Sequence, residues 1–182
     1  LYHLLGTFPA DLPVPILIVQ HISFGFVEGL AGWLDGGCRL RVRVAGHGDR
    51  VRAGNVYLAP DEAHLAVDRF GRARLREDGP VGGHLPSVNV LFQAVAHAYG
   101  PAAVGVLMTG MGSDGATGMK ALRDAGAMTI AQDESSCVVF GMPKEAIGLG
   151  AVIHILPLEK IARTVVSQCN APQRRRGEGW RQ

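Results

Sequence analysis

"AAVGVLMTG", residues 102–110, is an apolar run of strand length that ends on a glycine. It carries apolar residues at consecutive rather than alternate positions, as a strand covered on both faces does. "DGATGMKALRDAG", residues 114–126, follows and reads as a helix closed by Gly126. "AMTIAQD", residues 127–133, is a second strand. A strand, a helix and a strand in that order form a parallel crossover, and this unit decides the fold class.

The same rhythm continues on either side. "MPKEAIGLG" (142–150) predicts a short helix, "VIHILP" (152–157) a strand, and "LEKIARTVVSQCN" (158–170) an amphipathic helix. Upstream, Val90, Leu91, Ala94, Val95 and Ala98 fall at helical spacing within 88–100, with Gly100 as the stop. "PVPILIVQH" (13–21) predicts a strand buried on both faces, followed by a helix from Gly25 or Phe26. "LRVRVAGHGDRV" (40–51) alternates apolar and basic residues, the pattern of a strand with one wet face. "GNVYLAP" (54–60) is another strand, and "HLAVDRFGRARLRE" (64–77) a hairpin turning at Phe70-Gly71. The expectation is a doubly wound, mainly parallel α/β sheet with helices on both faces and a small antiparallel hairpin region. Neither a repeat nor a long linker divides it. Residues 1–168 read as one domain and 169–182, ending in "RRRGEGWRQ", as a basic, disordered tail.

Composition narrows the function. The net charge is only +2, and the two tryptophans and three tyrosines are not interleaved with basic residues, so no nucleic-acid partner is expected. No apolar stretch approaches the roughly 20 residues that cross a bilayer, and no export signal is read at the start, so no membrane insertion is expected. Three widely spaced cysteines, Cys38, Cys137 and Cys169, form no CxxC pair and point to reduced thiols in the cytoplasm. Cys137 precedes an apolar run and is expected in the core.

In a parallel sheet, ligands bind beyond the carboxyl ends of the strands. His21 ends the first predicted strand, and the loop 109–115 ends a later one. His21 suits a general base, because imidazole titrates near neutral pH. Asp114 would accept from its Nδ1–H and fix the tautomer. Gly110 and Gly112 would let backbone N–H groups near Met111 face the cleft and stabilise an oxyanion. The plainer alternatives are a structural strand-end histidine, and an aspartate that caps the helix beginning beside it.

Other motifs fall away. "GMGSDG" lacks the Lys-Ser/Thr of a P-loop. His47, His64, His84, His97 and His154 are scattered, without metal-ligand spacing, so neither a metal nor a cofactor is expected. "DEAH" (61–64) stands without a Walker lysine. No serine occupies a Gly-x-Ser-x-Gly elbow, so the residues give a base and its orienter but no attacking group.

"QH" (20–21), "GNVYLAP" (54–60), "LPSVNVLF" (85–92), "AVGVLMTGMGSDGATGM" (103–119) and "TIAQDESSCVVFGMPKEAI" (129–147) together carry a resemblance. Residues 1–165 strongly resemble the catalytic domain of the chemotaxis protein-glutamate methylesterases. The resemblance implies hydrolysis of glutamate methyl esters on the cytoplasmic domains of chemoreceptors, with release of methanol, and in many members deamidation of receptor glutamines. It places the catalytic histidine on His21 and the aspartate on Asp114. The backbone N–H of Met111 becomes an oxyanion donor. Gln20, Gly110, Gly112, His84 and Ser87 become cleft residues. No metal or cofactor is implied. A phosphorylated receiver domain is the expected regulator.

The family nucleophile is a serine in a "GASTGG"-like loop after the first strand, which by family spacing falls ahead of Leu1. "LYHLLGTFPADLP" (1–13) resembles the helix and loop that follow that serine. The polypeptide 1–182 is therefore expected to lack a central strand, the nucleophile and esterase activity of its own. In "GGHLPSVN" (82–89), Gly83, Leu85 and Asn89 stand where the family often has two arginines and an aspartate. That departure bears on substrate choice. Two rival expectations follow: a non-catalytic binding module of the same fold, and a serine hydrolase acting on another ester or amide.

Overall fold

The structure, a computed structural model, describes residues 1–170. In chain order these form α1 (Tyr2–Thr7), β1 (Ile16–Ile18), α2 (Val27–Gly37), β2 (Arg41–Val44), β3 (Asn55–Leu58), β4 (His64–Val67) and β5 (Ala73–Arg76). The second half contains α3 (Val88–Tyr99), β6 (Val104–Leu107), α4 (Ala116–Asp124), β7 (Met128–Gln132), α5 (Met142–Gly148), β8 (His154–Leu156) and α6 (Leu158–Asn170). The expected tail lies, from residue 171 onward, outside the described residues; Cys169 and Asn170 close α6.

β1 and β2 both pair with β3 in parallel, and β6 and β8 both pair with β7 in parallel. β4 and β5 form the antiparallel hairpin. The parallel strands fall into two three-stranded sheets, β1-β3-β2 and β6-β7-β8, not one continuous sheet. The two sheets share one core, where Val56 and Leu58 of β3 join Ile130 of β7. β1 and β6 each have a single strand neighbour. This explains a departure from the sequence reading: β1 is only half-buried along its length, although Ile16 and Ile18 pack on one layer and Leu17 on the other.

Side-chain alternation sends each strand into two layers. On β3, Val56 and Leu58 face a layer built by Leu4 and Leu5 of α1, Leu34 of α2 and Ile161 of α6. Tyr57 between them faces Leu65 of the hairpin and Leu91 of α3. On β6, Leu107 faces Val88, Met119, Leu122 and Met142 of α3, α4 and α5. Helices therefore cover both faces, as the alternating elements predict. Leu34, Leu58, Leu65, Leu122, Ile130 and Ile161 are essentially fully buried. Each contributes about 1.5–3 kcal/mol of burial free energy. Among the described residues no helix is long and apolar enough to cross a membrane.

Candidate active site

β1 and β6 point their carboxyl ends at the same region, and this brings residues 93 positions apart into contact. The His21 Nε2 lies 2.9 Å from Asp114 Oδ2. The His21 side chain is 29% exposed and that of Asp114 2%, so the base meets solvent and its partner does not. It is Nε2, not the expected Nδ1, that faces the carboxylate. Nδ1 is left as the second nitrogen.

Asp114 is held by three further donors. The Ser87 hydroxyl donates to Oδ1 at 2.7 Å, the Asn89 N–H to Oδ1 at 3.1 Å, and the Val88 N–H to Oδ2 at 2.7 Å. Val88 and Asn89 open α3, so Asp114 caps the start of α3 from another element. It does not cap α4, whose N-cap is Gly115 without a side-chain bond. The helix-cap reading and the cleft reading both hold, but on a different helix from the one adjacent in sequence. Burial pushes the Asp114 carboxyl upward. The donors His21, Ser87, Val88 and Asn89 outweigh it and hold the group down at about 2. Asp114 is therefore a carboxylate across the neutral range, as an orienter of imidazole must be.

The Met111 loop supplies the third component. The Gly110 N–H donates to the Val139 carbonyl at 3.0 Å, and the Gly110 carbonyl accepts from Gly141 and Met142. Gly110 thus shapes the loop and is not itself a free donor. The N–H groups of Met111 and Gly112 make no hydrogen bond among the described residues. Met111 is 79% exposed, and Gly112 has φ +87°, a conformation that favours glycine. A Cβ at Gly141 would lie 2.7 Å from Gly110 O and 3.1 Å from Gly112 N, so this loop crossing needs bare backbone.

Gln20 donates from Nε2 to the His21 carbonyl at 3.1 Å. The His84 ring stacks on His21, with centroids 4.4 Å apart and planes 8° from parallel. A hollow of about 160 Å³ is lined by Gln20, His21, Ile22 and the 83–86 segment. A second, of about 480 Å³, is lined by Gly112, Ser113, Phe140, Gly141, Lys144 and Glu145. Ser113 therefore faces this second hollow, and the Ser87 hydroxyl is engaged by Asp114; no described serine hydroxyl bonds to His21. Asn89 has a role the sequence did not reveal: its Oδ1 accepts from the Gly118 N–H and the Thr117 hydroxyl at the start of α4. Cys137 is half-buried in the loop after β7, outside the expected core, and burial pushes its thiol up.

His21, His84 and Asp114 place one potential metal-ligand atom each within 4.8 Å of one another. The grouping is poorly formed for an ion. Asp114 already accepts four hydrogen bonds, and the two parallel rings direct their in-plane lone pairs side by side rather than to one point. The arrangement fits proton transfer and oxyanion stabilisation.

Residues 1–165 match the family described as CheB methylesterase. The chain is 47% identical over 166 residues to "Protein-glutamate methylesterase/protein-glutamine glutaminase 1" of Syntrophus aciditrophicus, covering 91% of this chain and 47% of that protein. It is 51% identical over 168 residues to "Protein-glutamate methylesterase/protein-glutamine glutaminase 3" of Geobacter metallireducens, with coverage of 91% and 47%. The fold is similar to the crystal structure of the Thermotoga maritima CheB methylesterase catalytic domain, with a TM-score of 0.87 and 34% identity, covering 90% of this chain and 88% of that one. The chain spans about half the length of the curated relatives it matches.

Proposed function

The chain belongs to the CheB methylesterase family, and from that premise we propose that the protein hydrolyses glutamate 5-O-methyl esters of chemoreceptor cytoplasmic domains. The products are glutamate and methanol; the same site deamidates receptor glutamines, releasing ammonia. The names of the relatives support both reactions. The observation that carries the reading is the buried carboxylate of Asp114, bonded to a partly exposed imidazole, with the Met111 and Gly112 N–H groups of the same loop unpaired among the described residues.

In this scheme His21 holds a hydrogen on Nε2, donated to Asp114, and uses Nδ1 as the base. A serine of the family's glycine-rich motif attacks the ester carbonyl and passes its proton to Nδ1. The N–H groups of Met111 and Gly112 stabilise the oxyanion. The proton then moves to the departing methoxide, leaving an acyl-enzyme. Water attacks next, giving its proton to Nδ1, and glutamate leaves as the serine recovers its hydrogen.

With such a substrate the proposed compartment is the cytoplasm, and the three free cysteines accord with it. A phosphorylated receiver domain is the proposed regulatory partner, and the extra length of the relatives leaves room for one. One observation favours a second substrate. The rim of the smaller hollow offers Gly83, Leu85 and Pro86, with no arginine, and so suits a less acidic ester.

The test is methanol release from a methyl-esterified receptor fragment by the protein bearing this chain. His21→Ala should lower kcat by roughly 10²–10⁴-fold. Turnover of small esters without methanol release from the receptor fragment would move the assignment to the second substrate. Unchanged turnover in His21→Ala would overturn the mechanism.

A further inference from the structure

The bonds that hold Asp114 continue inward to a histidine the proposed mechanism does not use. His64, the first residue of β4, is fully buried. Its Nε2 lies 2.8 Å from the Gly79 carbonyl, just beyond β5. Its Nδ1 lies 3.0 Å from the backbone nitrogen of Ser87. A carbonyl only accepts and an amide N–H only donates, so the hydrogen of His64 sits on Nε2 and Nδ1 is bare. Both bonds are satisfied only by the neutral ring in that tautomer.

Ser87 is the next link. It is the N-cap of α3, with extended backbone at φ −112° and ψ 134°, yet its hydroxyl makes no bond to its own helix. The hydroxyl goes instead to Asp114 Oδ1. The backbone N–H, the group that would otherwise be stranded in the core, is fixed by His64. Anchoring that N–H sets the position of the Ser87 hydroxyl, and of the Val88 and Asn89 N–H groups that follow it. All three of those donors converge on Asp114. The path therefore runs from the Gly79 carbonyl through His64, Ser87 and Asp114 to His21.

We propose that His64 is a positioning residue for the Asp114–His21 pair, acting through the backbone N–H of Ser87. This rests on the reading that Asp114 orients a catalytic base. A role confined to fold stability would draw on either hydrogen bond of His64; positioning draws on the Nδ1 bond alone. Two substitutions separate them by reach. His64→Asn places an amide oxygen near the Nδ1 position, keeps the acceptor for Ser87 and gives up Gly79. His64→Gln places an amide nitrogen near the Nε2 position, keeps the donor to Gly79 and strands the Ser87 N–H.

The experiment measures three quantities in the protein bearing this chain: the unfolding midpoint, the carbon-NMR titration of the Asp114 carboxyl, and kcat and KM for receptor methyl-ester hydrolysis. In His64→Gln the Asp114 titration should move upward from about 2. Its kcat should fall by roughly ten-fold or more, a change of about 1.4 kcal/mol, with KM little altered. His64→Asn should recover most of both changes, although the two variants unfold at similar midpoints. Should His64→Gln fail to fold, His64→Asn, which keeps the acceptor for the Ser87 N–H, carries the test and should hold the Asp114 titration and kcat near those of the parent. Equal kcat and equal Asp114 titration in the Asn and Gln variants would overturn the proposal, as would a raised titration and a roughly ten-fold loss of kcat in His64→Asn. If the parent releases no methanol while the titration still separates the variants, the esterase reading fails and the positioning role stands.

Discussion

Asp114 gives a stability signature that can be worked out from its own bonds. Its carboxyl is held at about 2 against an ordinary 3.8, while burial alone would push it up. A group whose folded value is depressed stabilises the fold above its unfolded value and loses that contribution as pH falls through the folded value. The difference converts to roughly 2 kcal/mol. That contribution is complete above about pH 5, is mostly lost by about pH 2 and is gone by about pH 1. The perturbation is Asp114→Asn, which keeps the shape and removes the titration. Its amide NH₂ replaces one of the two oxygens and faces the N–H of either Val88 or Asn89, so the variant should start about 1–3 kcal/mol less stable at neutral pH. Guanidinium unfolding of both proteins at a series of pH values from 7 to about 2 measures the gap between them. Asp68, held low by the Arg72 N–H, and Asp133, held low by Ser136, titrate in both proteins and cancel in the difference. The gap should narrow by roughly 2 kcal/mol on acidification, nearly all of it below pH 4. A gap constant to within 0.5 kcal/mol or so would refute the claim that the folded carboxyl is depressed by its donors.

Other substitutions probe the supports of the site. Gly141→Ala drives a Cβ against Gly110 O and Gly112 N, so it should cost about 1–3 kcal/mol in a denaturant melt and lower kcat by displacing the Met111 N–H. Asn89→Ala removes the acceptor at the start of α4 and should cost about 1 kcal/mol, with faster hydrogen exchange at Gly118. His84→Ala removes the ring stacked on His21; it should lower stability by no more than about 1 kcal/mol and leave the Asp114 titration in place.

The order of elements was legible because apolar continuity and helical spacing are local properties. The run 102–110 and the helix after it needed no partner to be recognised, and Gly100 and Gly126 mark stops that any chain must obey. What joins distant segments was harder to see. The half-burial of β1 follows from which edges find neighbours, and no residue in "PVPILIVQH" encodes that. That His21 and Asp114 could meet was legible from strand ends, but which ring nitrogen meets the carboxylate is set by the three-dimensional path of the chain and not by local sequence. Asp114 stands next to α4 in sequence and caps α3 in space, because the loop after β6 folds back over the first turn of α3. His64 was read as one scattered histidine. The available signal was an imidazole opening a short apolar strand, where burial forces both nitrogens to find partners.

The chemistry proposed for the cleft turns on one proton, that between His21 and Asp114. Nitrogen-15 NMR of histidine-labelled protein at neutral pH reports directly which ring nitrogen of His21 carries it. The predicted result is a hydrogen on Nε2, shifted downfield by its bond to the carboxylate and lost in Asp114→Ala, with Nδ1 bare. A His21 hydrogen on Nδ1, or an Nε2 signal unmoved by Asp114→Ala, would contradict the assignment of Asp114 as the group that orients the base.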